Sequence, residues 1–298
     1  MIPPANYVSQ IVDGADLGRR RSGGATTAGP QPFKLNVLPA AELIMDVHSH
    51  LFVDEVIGFL GGQWDEETRT ITVERAFPAR ALSQSGRKGR VSVEMDPESE
   101  VALREQIRNA GMRVVGWYHS HPLFVTLPSI KDCINQSLYQ MMFSTDRAST
   151  PFVGAIVGPY DPLLPLEVSD LRWFHVSAEH SSHQPFPQPW HLRPETMSES
   201  ALPPVMLEEV LSAVRLLGNA TYDDGRANLN DAWRVGFSRL DKLRSSVLAR
   251  VPAGPPEAVR EAYARNLAQF VRNEWSPVAY EPADEEGETL QGAQAKAR

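Results

Sequence analysis

The stretch Met112-Arg113-Val114-Val115-Gly116-Trp117-Tyr118-His119-Ser120-His121-Pro122, followed by Ser129-Ile130-Lys131-Asp132, decides how this chain is read. The run Met112 to Tyr118 is largely apolar and reads as a buried strand. Side chains two apart on a strand leave the same face, so His119 and His121 aim both imidazoles at one point. Zinc takes N and O donors in tetrahedral geometry, and hydrolytic sites keep one position open for water. His119, His121 and Asp132 thus make a metal-ligand set for one catalytic Zn2+, with the fourth position free. Ser-x-x-Asp also has a plainer reading as a helix capping box, Ser129 capping and Asp132 reaching back. Coming seven residues after His-x-His, it also puts Asp132 on the helix turn that faces the strand end.

A hydrolytic site needs a general base to take a proton from water and deliver it to the leaving group. Glu55 is the candidate, because it opens the apolar run Glu55-Val56-Ile57-Gly58-Phe59-Leu60-Gly61-Gly62, where a carboxylate has little reason to sit without a task. The alternative is an exposed strand-end glutamate beside Asp54. Ser129, at a helix N-terminus, is placed to hydrogen-bond a developing oxyanion. A second His-x-His, at His48-Ser49-His50, falls in a stretch with apolar residues at helical spacing (Leu43, Ile44, Val47, Leu51). Residues i and i+2 of a helix point about 200° apart, so these two do not share an ion. Asp46 and His50, at i and i+4, pair on one face. Cys133 reads as a small buried side chain rather than a nucleophile, since no base is set to activate it.

The rest of the chain predicts a mixed α/β domain over 33–178, with strands at Phe33–Leu38, 55–62, 70–77, 91–93, 151–157 and 166–176. Helices are expected over 40–51, from Asp96 to near Gly111, and from Ser129 to Phe143. Residues 1–32, rich in Gly, Ala, Pro and Arg, are expected to be disordered, as is the tail 277–298. The proline-rich 179–204, with His180, His183 and His191, reads as a linker. A helical extension over 205–276 follows, with segments at 205–217, 229–251 and 256–275; in the second, Trp233, Phe237, Leu240, Leu243 and Val247 form an apolar stripe.

With 42% hydrophobic and 22% charged residues the composition is that of a globular protein. A single cysteine excludes an intrachain disulfide framework and fits a reducing compartment. Met1–Asn6 lacks the basic and apolar regions of a secretory signal, and no apolar run reaches membrane-spanning length, so the expectation is a nuclear or cytoplasmic protein with no membrane association. The net charge of −8 argues against nucleic acid as a partner. The short basic clusters Arg19–Arg21 and Arg87–Arg90 do not change that.

Glu55, His119-x-His121-Pro122, Ser129 and Asp132 together resemble the JAMM/MPN+ signature of zinc-dependent deubiquitinating isopeptidases. Met45–His50, Glu55–Gly62 and Gly116–Pro122 are similar in wording to the branch holding MPN domain-containing proteins and the Myb-like, SWIRM and MPN histone deubiquitinases. The resemblance implies a cytidine deaminase-like JAMM/MPN fold with His119, His121 and Asp132 on zinc, Glu55 activating water and Ser129 stabilising the tetrahedral intermediate. It implies as substrate the isopeptide bond between ubiquitin and a lysine amine, with Ala79–Val93 forming a strand against the ubiquitin tail. It also implies pairing with an MPN-domain partner through the C-terminal helices. The sequence departs from the pattern in two places: no SWIRM- or SANT-like region precedes Phe33, and no second, cysteine-containing zinc site follows. The competing reading is an interaction scaffold, chromatin-associated or otherwise, with an idle or partner-dependent site.

Overall fold

The computed structural model of this chain describes residues 12–13, 31–82, 93–143, 150–176, 186–196, 204–219 and 225–275. In chain order the elements are β1 (Val12–Asp13), β2 (Lys34–Val37), α1 (Pro39–His50), β3 (Ile57–Asp65), β4 (Thr70–Pro78), α2 (Pro97–Asn109), β5 (Arg113–Ser120), α3 (Ile130–Phe143), β6 (Val153–Gly158) and β7 (Asp170–Val176). They continue with β8 (Pro189–Leu192), β9 (Glu195–Thr196), α4 (Pro204–Asn219), β10 (Ala232–Arg234), β11 (Phe237–Ser238), α5 (Arg239–Arg250) and α6 (Glu257–Glu274). Nine strands form one mixed sheet in the order β1-β8-β7-β6-β5-β3-β4-β2-β9. The mixed α/β architecture expected from the sequence is the one observed.

Local chemistry explains the elements that frame the site. Asp96 caps α2 by accepting from the Ser99 N–H, Pro97 opens the helix, and Glu98 and Glu100 sit in its first turn. Gly111, at φ +74°, turns the chain out of that helix into β5. β5 lies between β3, antiparallel, and β6, parallel, so the histidine-bearing strand is central. All six residues of β6 are buried, as a strand covered on both faces requires.

Two apolar clusters cover the two faces. One joins α1 to α4, α5 and α6 through Leu43, Ile44, Val210, Val214, Leu243, Val247, Leu267 and Val271. The other packs α2 and α3 on the opposite side through Leu103, Ile107, Cys133 and Trp117. α1 is therefore enclosed, and every residue in it except Glu42 is buried. No helix among the described residues is long and apolar enough to cross a membrane.

Several expectations need correction. The apolar stripe Trp233–Val247 is not one helix. Trp233 and Phe237 belong to the β10–β11 hairpin, and Gly236, at φ +75°, makes its turn. α5 begins only at Arg239, behind a capping box in which Ser238 and Asp241 exchange hydrogen bonds. The glycines Gly61 and Gly62 do not end β3; the strand runs on to Asp65, with a register shift there. Within the stretch read as a linker, β8 pairs antiparallel with β7 and β9 pairs parallel with β2. Inside the segment expected to be disordered, Val12–Asp13 pairs with Trp190–His191. The remainder of 1–30, residues 277–298, His180, His183, both basic clusters and residues 83–92 of the expected ubiquitin-binding insertion lie outside the described residues.

Candidate metal centre

β5 carries His119 and ends at Ser120, and His121 follows directly. The two imidazoles leave the α3 side of the sheet. His119 is stacked on Trp117 at 4.8 Å between ring centres and 13° between planes. Their Nε2 atoms are 3.1 Å apart. Asp132, on the first turn of α3, sets Oδ1 3.4 Å from His119 Nε2 and Oδ2 3.8 Å from His121 Nε2. Both histidines are 1% exposed and Asp132 is 9% exposed. Among the described residues these three form the cluster of metal-ligating groups.

The donor set fits zinc. Ligands about 2.0–2.1 Å from a tetrahedral ion lie about 3.3 Å from one another, close to the separations found here. The Nδ1 of His121 lies 2.8 Å from the Val125 carbonyl, and donating to it leaves Nε2 with its lone pair facing the cluster. Burial lowers the His121 pKa, favouring the neutral imidazole a metal requires. Burial alone would raise the Asp132 pKa, but His119 and His121 hold it well below the usual carboxylate range.

Asp132 satisfies both of its sequence readings at once. Its Oδ2 accepts the Ser129 N–H at 2.6 Å, and its own N–H donates to Ser129 Oγ at 3.2 Å, a reciprocal cap. The same carboxylate faces the histidines. Ser129 is half-buried at the start of α3, beside the cluster.

Glu55 lies in the segment joining α1 to β3 and is 8% exposed. Val56, its neighbour, donates its N–H to Ser120 Oγ at 2.9 Å and accepts the Ser120 N–H at 3.0 Å. Ile57 stands opposite His119 in the β3–β5 register. The serine between the two histidines therefore ties the Glu55 segment to the cluster. Burial, and then the Asp132 carboxylate, push the Glu55 pKa well up, while Lys131 and a hydrogen bond from Val93 pull the other way.

The sequence reading missed what seats α3. Asp132, Gln136 and Gln140 form a buried polar line at i, i+4 and i+8. Gln136 accepts from Trp117 Nε1 at 2.7 Å and donates to the Phe152 carbonyl at 2.9 Å. Gln140 accepts from the Val176 N–H and donates to the Val176 carbonyl. Two glutamines spaced four apart behind a ligand were the available signal.

The second His-x-His behaves as its helical spacing requires. His48 Nδ1 lies 2.8 Å from Tyr118 Oη, whereas His50 turns to Asp46, 3.3 Å from its carboxylate. Cys133 is fully buried, and burial raises its thiol pKa, which keeps it unreactive.

A family model described as JAB1/Mov34/MPN/PAD-1 ubiquitin protease matches residues 35–145. This chain carries a JAB/MPN domain. Human deubiquitinase MYSM1 is 37% identical over 169 residues, which cover 57% of this chain and 20% of that protein. The Drosophila melanogaster MPN domain-containing protein CG4751 is 30% identical over 228 residues, 75% of this chain and 15% of its own length. The human MPN domain-containing protein is 30% identical over 227 residues, covering 74% and 39%. The chain thus spans about a fifth of the length of the MYSM1 relatives, and the likeness to MPN domain-containing proteins extends beyond the JAB/MPN domain itself.

Proposed function

We propose that the chain is a zinc-dependent isopeptidase that removes ubiquitin from protein substrates. The observation that carries this reading is the convergence of His119, His121 and Asp132 donors within 3.1–3.8 Å, with Glu55 tied alongside through Ser120. Relatives named as deubiquitinases, among them the human MYSM1 and a Xenopus laevis MYSM1 named as a histone deubiquitinase, supply the substrate class.

His119, His121 and Asp132 would hold the metal, which when bound would polarise the scissile carbonyl and make water acidic enough to attack near neutral pH. Glu55 takes a proton from the attacking water and passes it to the lysine amine as the C–N bond breaks, releasing the ubiquitin carboxylate and a free amine. Ser129 donates its hydroxyl to the oxyanion that forms on the carbonyl. Trp117, stacked on His119 and anchored to Gln136, fixes the ring and keeps water from that side of the site. The unit proposed to carry this chemistry spans 33–178, and the C-terminal helices pack against its α1.

The test is ubiquitin release by the purified chain from monoubiquitinated protein and diubiquitin panels, with and without chelator, beside Glu55→Gln. Loss of turnover under chelator, restored by zinc, and loss in Glu55→Gln are expected. Undiminished activity in either arm would overturn the mechanism.

A further inference from the structure

The segment that presents Glu55 is held from two sides. Ser120 binds Val56 on the side of the metal-ligand strand. The other hold comes from far downstream, at Gly225–Ala227. Val53 donates its N–H to the Gly225 carbonyl at 2.7 Å, and Ala227 donates to the Leu51 carbonyl at 2.8 Å. Between these bonds Phe52 and Arg226 form an antiparallel bridge. Phe52 meets the ring of Trp275 edge-on, 5.1 Å between centres, and the Arg226 guanidinium lies 4.4 Å over that same ring. Trp275, 2% exposed, is the C-terminal cap of α6.

Gly225 is the tightest point of this clamp. Its φ of +88° belongs to the left-handed region that L side chains avoid. A Cβ there would stand 2.6 Å from Asp54 Oδ2 and 2.9 Å from its Cγ. Asp54 directly precedes Glu55, so a side chain at 225 crowds the residue next to the base.

We infer that Gly225–Ala227, backed by Trp275, positions Glu55, with Gly225 as a positioning residue supplied by the C-terminal part of the chain. The inference rests on reading Glu55 as the general base. Catalytic groups tolerate little displacement, and a shift of about 1 Å can cost on the order of 100-fold in rate. A fault at Gly225 therefore acts on turnover and spares substrate binding.

Gly236 supplies a matched control. Its φ is +75°, yet nothing lies within 4 Å of an added Cβ, and it sits at the tip of the β10–β11 hairpin. Gly236→Ala carries the same backbone strain without touching Asp54. In the zinc-loaded full chain acting on a ubiquitin–lysine isopeptide substrate, Gly225→Ala is expected to lower kcat roughly 10- to 100-fold with KM within about twofold. Gly236→Ala leaves both constants unchanged. Amide hydrogen exchange at Val53 and Val56 quickens in Gly225→Ala alone. On a Glu55→Gln background Gly225→Ala adds nothing further, because the group it positions has already lost its function. Phe52→Leu, which keeps an apolar plug but drops the edge contact with Trp275, shifts kcat in the same direction and serves if Gly225→Ala does not fold. Parental kcat in folded, zinc-replete Gly225→Ala or Phe52→Leu overturns the positioning role while leaving Glu55 as base, as does an equal loss on the Glu55→Gln background. A Glu55→Gln protein as fast as the parent overturns the base itself, and this inference with it.

Discussion

His48-Ser49-His50 and His119-Ser120-His121 are the same three residues in the same order, and both are buried. On α1 the two rings part, one to Tyr118 and the other to Asp46. At the end of β5 they meet, Nε2 against Nε2. The serines divide in the same way. Ser49 bonds back to the Met45 carbonyl of its own helix, whereas Ser120 reaches across to Val56, in the segment just before β3. Backbone period alone turns one tripeptide into two packing residues and the other into two rings that meet at one point. The motifs also touch, since His48 bonds the Tyr118 that precedes His119.

The comparison breaks most visibly where zinc is removed. His121→Ala is expected to lose bound zinc and to cut turnover on the order of 1,000-fold or more, the scale of several kcal/mol of charge stabilisation. His50→Ala should keep its zinc, and metal analysis of the two proteins side by side checks this. A retained full metal complement in His121→Ala would erase the distinction between the motifs.

The next effect falls on the helical motif. Asp46 stands 3.4 Å from Arg250 and 3.3 Å from His50, fully buried. Burial opposes its charge, yet Arg250 and His50 hold its pKa far below the ordinary range. Asp46→Ala leaves the buried Arg250 guanidinium without its carboxylate and should cost about 3–5 kcal/mol in denaturant unfolding, with zinc content unchanged.

Acid sharpens the contrast further. Burial lowers the pKa of His48 to about 3 and of His175 to about 4. Unfolded, each titrates near 6.5, so between these values the unfolded chain binds protons that the fold refuses. Stability is then full above about pH 6.5 and falls as the pH drops towards 4, by on the order of 1 kcal/mol per pH unit for each histidine. Unfolding followed across that range in His48→Gln should show the smaller slope.

The serines give the smallest difference. Ser120→Ala strands the buried Val56 N–H and should cost about 1–3 kcal/mol. Ser49→Ala removes only a bond back to its own helix and should cost about 1 kcal/mol or less. Equal effects in thermal unfolding would mean that the two serines are not distinguished by their reach.

The site was far more legible than the margins of the fold. The clustering of His119, His121 and Asp132, with Ser129 at the cap, could be read ahead because strand and helix periods are local and these residues flank one loop. Glu55 was readable as a carboxylate opening an apolar strand. Gly225 was not, because its meaning lies in Asp54, distant in sequence and adjacent only after folding. The strands β1 and β9 are two residues each and exist only by pairing with a remote neighbour. Trp233 and Phe237 mimic helical spacing, yet Gly236 between them adopts a left-handed turn. The true start of α5 was written in Ser238-x-x-Asp241, the same signature that Ser129 and Asp132 use.

That shared signature has a consequence for affinity. The helix cap holds the Asp132 carboxylate in place before any ion arrives, and the Val125 carbonyl does the same for the His121 ring. Freezing a mobile side chain on binding costs about 0.5–1.5 kcal/mol, and here folding has already met that entropy for two of the three donors. Metal should therefore enter and leave a rigid pocket, with the apo and loaded proteins sharing one backbone and differing mainly in the unfolding free energy that binding adds.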